Sequence, residues 1–377
     1  MERISLSRPS ITDDEVAAAE GTLRSRWLVY GPQNRAFEEE LAAACGRRHA
    51  IAVSSGTAAL HLLLLAVVGP SGPPGPAPGT RLLVPAFTFP ASANVVRFLP
   101  GPPVAVHLAD VDPQTFCLPA ATLQAWQAGG PALTMVVHQF GYPSPLPPLS
   151  TAAERLLLSD AACAIGAPAA LRGRAACLSF HPRKLLTTGE GGAILTDDDA
   201  LAAELQKLRA HGLVAVSGEE VQSLPAPGLN YRLPEMGAAI GRVQLRRLPT
   251  LLALHRERAE RYRARLGAAG LQLQADTPGR VWQTLAVVLP DGVDRPQLRA
   301  ELLAAGIETQ IASYGLHRLA AYKDAPVFSP DGSGALPVTE RLHQKGLALP
   351  LHGELSLADV DRVCEALLCR LPPRTGA

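Results

Sequence analysis

The chain has 377 residues, 47% apolar and 18% charged, and its 35 Lys and Arg against 34 Asp and Glu leave a formal charge of +1. That balance excludes an electrostatic case for nucleic acid or an anionic membrane as partner, and the 33 Gly and 34 Pro follow no collagen-like or low-complexity period. A chain this long is expected to form two domains, or one large α/β domain with an appendage.

Thr12-Asp13-Asp14-Glu15 fits a capping box and predicts a helix to about Leu23. Gly31-Pro32 then reads as a turn before a second helix. From His49 short apolar runs alternate with helical stretches: 49–53, 81–85, 103–109, 133–138, 155–159, 176–180 and 192–196. Runs of this length between helices predict a largely parallel sheet buried on both faces. The segment GPSGPPGPAPG (69–79) suits neither helix nor central strand and reads as an extended surface connector. The Arg-rich stretch 242–266 predicts a solvated helix laced by i,i+4 pairs such as Glu257–Arg261. Beyond it, 281–289, 295–306, 307–312 and 355–371 predict a small strand–helix–strand–helix unit, so the chain divides into 1–250 and 251–377.

The six cysteines (45, 117, 163, 177, 364 and 369) contain no C-x-x-C pair and read as reduced thiols; no metal site is expected. No secretory apolar region follows Met1, and the longest apolar run, 62–68, is too short to cross a bilayer. The expected location is the cytoplasm.

Walker A, G-x-G-x-x-G, G-x-S-x-G and H-E-x-x-H motifs are all missing from the sequence. Three other segments carry chemistry. In HAIAVSSGTAALHLLLL (49–65), Ser54 or Ser55 can cap a helix whose first turn, at Gly56 and Thr57, offers N–H groups to a phosphate. Any capped helix after a strand looks similar. In LLLSDAACAIGA (156–167), Asp160 follows a buried strand, on the edge where α/β proteins bind ligands, or caps the next helix. In CLSFHPRKLLTTGEGGAILT (177–196), Lys184 lies between a strand and a turn rich in glycine, with Ser179 five residues earlier. A lysine in a partly desolvated pocket is a Schiff-base nucleophile. A phosphate seat, a carboxylate and a lysine are together what pyridoxal 5′-phosphate requires.

With these segments in view, the chain resembles the DegT/StrS-type family of pyridoxal-phosphate-dependent sugar aminotransferases, of fold type I. The motifs are SSGTAAL, PAFTFPASANVV (85–96), VHQFGYP (137–143), SDAACAIGA, SFHPRKLLTTGEGG (179–192), LRAHG (208–212), GLNYRLPEMGAAIGRVQL (228–245) and GIETQIASYGLH (306–317), and the match runs from GPQNRAFEEELA (31–42) to LALPLHGELSLADVDRV (347–363). The resemblance implies a large α/β domain with a mostly parallel central sheet flanked by helices, plus a smaller C-terminal α/β domain. It implies that Lys184 forms the Schiff base and shuttles protons, and that Asp160 partners the pyridine nitrogen. Gly56, Thr57 and Ser179 would form the phosphate cup, joined by Asn230 from the other subunit of a homodimer. Asn230 as a cap of the helix entered at Pro234 is the alternative. Phe89 would stack on the cofactor ring, and Tyr314 and His317 would line the sugar side. His181 and Arg183 flank the lysine, with a structural role left open. Cys163 stands where the family usually has a Gln near the cofactor's phenolic oxygen, and 69–79 replaces a short turn. The implied reaction moves an amino group from glutamate to a keto group of a nucleotide-linked sugar. A keto-deoxysugar dehydratase of the same family and a non-catalytic regulator on the same fold are the competing readings. Lys184 argues against the first, because that branch typically has His there, and joint retention of Lys184, Asp160, Ser179 and Asn230 argues against the second.

Overall fold

A computed structural model describes residues 3–68, 79–100, 103–215, 222–223 and 227–372. The connector expected at 69–79 therefore lies outside the described residues, apart from Gly79. The first eight strands are β1 (His49–Val53), β2 (Arg81–Pro85), β3 (Phe87–Thr88), β4 (Ala105–Ala109), β5 (Leu133–Val137), β6 (Leu157–Asp160), β7 (Ala175–Ser179) and β8 (Gly192–Thr196). Seven of them form one sheet in the order β1-β8-β7-β6-β5-β2-β4. The pairs β2–β4, β2–β5, β5–β6 and β6–β7 are parallel, and β8 is antiparallel to both its neighbours. The 180–191 loop returns the chain directly beside β7, and a direct return makes an antiparallel neighbour.

Alternate residues of each strand enter different cores. Ile51 and Val53 of β1 and Cys177 of β7 pack with the Gly56–Val68 helix on one face. Ala50, Ala52, Ala176 and Leu178 pack with Phe37 and Leu41 of the Pro32–Ala44 helix on the other. Burial on both faces is what continuous apolar strands require. β6 starts two residues later than its apolar run, because the Arg155 and Leu156 N–H groups still close the preceding helical turn.

The first helix runs from Asp13 to Ser25, with the Thr12 N–H donating to the Glu15 carboxylate at 2.7 Å. The start of the Pro32–Ala44 helix is capped from elsewhere. The buried Glu235 carboxylate accepts from the N–H groups of Gly31, Gln33 and Asn34, each at 2.8 Å. A carboxylate suits the positive end of a helix.

The Arg-rich stretch lies in one helix, Glu235–Ala268, which continues through Pro249. Its earlier half buries Ala238, Leu245 and Leu248 against the sheet, and its later half buries Ala259, Tyr262 and Leu266 in a separate core. The expected Glu257–Arg261 pair is not formed. Glu257 instead bonds Arg258 at 2.9 Å, while Arg261 reaches Asp361 of the Leu357–Leu368 helix at 2.7 Å. A carboxylate fixed on a neighbouring helix provides bidentate geometry that a freely rotating neighbour one turn away does not.

The C-terminal core covers a four-stranded antiparallel sheet in the order Gln272–Leu273, Leu285–Val288, Gly346–Leu349, Gln310–Ile311. Ile4 packs into this core and bridges Ile307.

Candidate active site

The candidate residues converge on one edge of the large sheet. Asp160 ends β6 and Ser179 ends β7, and Lys184 follows in the 180–191 loop. β1 and β7 are both antiparallel to β8, so they run in the same direction and the Ser54–Thr57 turn lies on that same edge. The Gly56–Val68 helix starts there, with the Ser55 hydroxyl accepting from the Ala58 N–H at 3.0 Å.

Close backbone approach explains the glycines. A Cβ on Gly56 would lie 2.7 Å from Ser179 Cβ, and one on Gly192 would lie 2.6 Å from the Ser55 carbonyl carbon. Both distances are shorter than real contacts allow, so the helix start can lie against the ends of β7 and β8 only because neither residue has a side chain. Thr57 is exposed in the first turn.

Lys184 Nζ donates to Cys163 Sγ at 3.0 Å, its one side-chain hydrogen bond among the described residues. Neither Lys184 nor Asp160 forms an ion pair among those residues, so both keep their capacity for a ligand. The buried Asp160 carboxylate accepts from the Ser92 hydroxyl at 2.7 Å and from the Ala162 N–H at 3.1 Å. Ser92 Oγ lies 3.1 Å from Thr88 Oγ1. Ser92 and Thr88 lie in the PAFTFPASANVV motif, and the Ser92–Asp160 contact, spanning 68 residues, has no local signal in the sequence.

The same segment presents Phe89, which is 62% exposed and meets Tyr314 edge to face at 6.0 Å. Tyr314 is held there by pairing with Thr88 of β3. His317 Nε2 lies 2.8 Å from the Glu340 carboxylate, which also binds Arg318. Asn230 is exposed, and its Oδ1 accepts from Arg232 Nε at 3.1 Å. It does not cap the helix entered at Pro234, which has no side-chain cap.

His138 was also unassigned. Burial pushes its pKa down to about 3, and Nδ1 accepts from the Ser144 N–H at 3.0 Å. The neutral ring therefore carries its proton on Nε2, which has no hydrogen-bond partner. The backbone N–H of His138 donates to the Asp160 carbonyl at 3.1 Å, which joins the end of β5 to the strand that ends at the carboxylate.

The donor set fits pyridoxal 5′-phosphate. A helix start free of Cβ beside Ser179 suits the phosphate, a buried carboxylate suits a pyridinium nitrogen, and an amine without an ion-pair partner suits covalent attachment. No group of three or more His, Cys, Asp or Glu placed to hold a metal occurs among the described residues.

Fold and site together define a fold-type-I, pyridoxal-phosphate-dependent aminotransferase. Residues 9–368 match the model of the DegT/DnrJ/EryC1/StrS aminotransferase family, and the chain belongs to that family. It is 36% identical over 381 residues to the GDP-perosamine synthase of Caulobacter vibrioides, covering 97% of each chain. It is similar in structure to the aminotransferase TlmJ from Streptoalloteichus hindustanus, with TM-score 0.81, 28% identity and 97% of both chains covered. It is also similar to the E. coli GDP-4-keto-6-deoxy-D-mannose-3-dehydratase with bound hydrated PLP, with TM-score 0.85, 25% identity, and 97% of this chain and 100% of that chain covered.

Proposed function

We propose that this enzyme transfers the amino group of glutamate to the keto carbon of a nucleotide-linked deoxysugar, with a GDP-linked 4-keto-6-deoxyhexose as the first candidate. The reading rests on Lys184, whose Nζ is held by a thiol and no carboxylate, at the strand edge that ends in Asp160. The Caulobacter and E. coli relatives, both named for GDP-linked sugars, support the substrate class. The dehydratase reading is disfavoured, because a His at the lysine position cannot bond the cofactor and this chain has Lys184.

In this reading Gly56, Thr57 and Ser179 hold the phosphate, Asp160 holds the proton on the ring nitrogen, and Cys163 faces the phenolic side. When bound, the cofactor supplies an electron sink for charge developing at the substrate carbon. Lys184 Nζ would take a proton from that carbon and pass it, within the same half-reaction, to the carbon on the other side of the transferred nitrogen, and the two half-reactions would use the one site in turn, which gives ping-pong kinetics. Phe89 covers the ring, and Tyr314 and His317 face the sugar.

The working unit in this reading is a cytoplasmic homodimer in which Asn230 completes the partner's phosphate cup. Val16, Leu23, Trp27, Leu28 and Val29 are each half or more exposed and lie together near the first helix. Trp27 also lines a groove between the first helix and the Glu235–Ala268 helix, together with Pro32, Ala239 and Arg242. An apolar surface of this kind supports an isologous interface. Among the described residues no helix is long and apolar enough to cross a membrane. The two-unit division at residue 250 is part of the same proposal, with the segment around Ile4 assigned to the C-terminal unit.

The test is a panel of GDP-, dTDP- and UDP-linked keto sugars, with glutamate as donor and 2-oxoglutarate release as readout. Turnover confined to keto-sugar nucleotides supports the reading. Water loss from the sugar without amine transfer would overturn it in favour of the dehydratase.

A further inference from the structure

Among the described residues, one side chain holds the backbone on both sides of Lys184, and it comes from the C-terminal part of the chain. The Leu185 N–H donates to Gln283 Oε1 at 2.8 Å, and Gln283 Nε2 donates to the Arg183 carbonyl at 2.6 Å. Gln283 is buried. The Arg183 carbonyl belongs to the peptide unit before the Lys184 Cα, and the Leu185 N–H belongs to the unit after it. Fixing the planes of both units fixes φ and ψ of Lys184 and so the direction of its Cα–Cβ bond.

The turn is also closed from within, since the Lys184 N–H donates to the His181 carbonyl at 2.8 Å and the Arg183 N–H donates to His181 Nδ1 at 3.1 Å. Those two bonds travel with the loop, whereas Gln283 does not. It lies two residues before the Leu285–Val288 strand, and the adjoining Val281 N–H is tied to the Gly141 carbonyl at 3.1 Å.

We infer that Gln283 is the positioning residue of Lys184, holding the lysine's backbone so that Nζ reaches its bonding position, and that it joins the C-terminal sheet to the chemistry. The inference rests on the proposed role of Lys184 as the cofactor lysine. The bracket requires a donor and an acceptor one amide apart. A carboxylate keeps the bond to Leu185 N–H but sets an oxygen against the Arg183 carbonyl, and an aliphatic side chain leaves two buried backbone groups unpaired.

The experiment compares wild type, Gln283→Glu, Gln283→Leu and Lys184→Ala. Each apo protein is mixed with pyridoxal 5′-phosphate and trapped at timed intervals with borohydride, and the modified peptide is quantified by mass spectrometry. Circular dichroism and oligomer size serve as folding controls. Misplacing a reacting group by about 1 Å can cost on the order of 100-fold in rate. Folded Gln283→Glu is expected to label Lys184 at least tenfold more slowly than wild type, with kcat reduced and the KM for keto sugar little changed. Gln283→Leu, where it folds, is expected to be slower still. Labelling of Lys184 at the wild-type rate in Gln283→Glu would overturn the positioning role while leaving the lysine assignment intact. Label on another residue in wild type, or persisting in Lys184→Ala, would overturn both.

Discussion

Gly56→Ala separates two opposed effects. On propensity alone, replacing Gly by Ala in a helix stabilises by about 0.5–1 kcal/mol, because the unfolded chain loses freedom. Here the new Cβ would lie 2.7 Å from Ser179 Cβ and 3.0 Å from Ser179 Oγ. Ordinary carbon contacts lie at about 3.5–4.0 Å, so the helix start and the end of β7 must part by on the order of 1 Å. Ser179 is the terminal residue of a central strand paired with Gly192, so the helix start must give. Overpacking costs about 1–3 kcal/mol, which exceeds the propensity gain. Because the displaced groups are the ones assigned to the phosphate, the expected result is a pyridoxal phosphate affinity roughly 5- to 150-fold weaker. Titration of the apo protein, followed by visible absorbance, measures this. Gly56→Ala combined with Ser179→Gly removes the contacting Cβ and should restore the apo Tm while cofactor binding stays weak. The argument is refuted if Gly56→Ala alone binds cofactor as wild type does and melts higher.

Lys184→Ala should abolish turnover with Tm unchanged, since among the described residues Nζ hydrogen-bonds only Cys163 and the side chain belongs to no core cluster; residual transamination near the wild-type rate would remove Lys184 from its role. Ser92→Ala removes a bond to the buried Asp160 carboxylate of about 1.5–3 kcal/mol and should lower the apo Tm and raise the cofactor Kd, as thermal melting and isothermal titration would read. Burial keeps His138 neutral down to about pH 3 against an ordinary value of 6.5. Its contribution to stability is therefore complete above about pH 6.5 and declines as pH falls from there, because the unfolded chain binds a proton that the folded chain refuses. His138→Gln should flatten the fall in Tm between about pH 7 and pH 5, and an unchanged slope would assign that slope to other groups. Finally, mixing inactive Lys184→Ala chains with inactive Asn230→Asp chains should restore activity if each site borrows Asn230, because one site of the mixed dimer then holds both native residues. Mixed dimers that form but stay dead would defeat the shared-site model.

What the sequence disclosed follows from the range of each interaction. β1, β2 and β8 coincide with their apolar runs, because a strand buried on both faces writes its own boundaries. Asp160 stands out in the sequence because it ends such an apolar run, and Lys184 because it lies between a strand and a glycine-rich turn. The central strand of the small sheet, Gly346–Leu349, was missed although Leu347, Ala348 and Leu349 form an apolar run, because four residues beside Pro350 resemble a loop. Ser92, His138 and Gln283 carry ordinary residue types, and what distinguishes them is a partner across the fold: the Asp160 carboxylate, the Asp160 carbonyl and the two peptides around Lys184. The exchange of Glu257 for Asp361 as the partner of Arg261 has the same origin, since tertiary packing brings a better-placed carboxylate within reach.

The position of Lys184 is tied to the one antiparallel strand of the large sheet. A parallel neighbour after β7 would need a crossover leaving from the strand end and running along a face of the sheet. The 180–191 loop instead turns back at once into β8, so the lysine stays on the edge where β6 delivers Asp160. β8 also reverses the sense of pairing a second time, and this turns β1 so that its Ser54–Thr57 turn arrives on that edge too. Register matters as much as direction. Ser179 pairs with Gly192, and Gly192 is the residue whose missing Cβ admits the Ser55–Gly56 backbone. A slip of one residue in β8 would place Ala193 opposite Ser179, move every β8 side chain to the other face and put a methyl group where that backbone now lies. The burial of Ile194 on one face and of Ala193 and Leu195 on the other resists that slip. The packing that makes the sheet stable therefore also holds the proposed phosphate seat, Asp160 and Lys184 on one edge of the sheet.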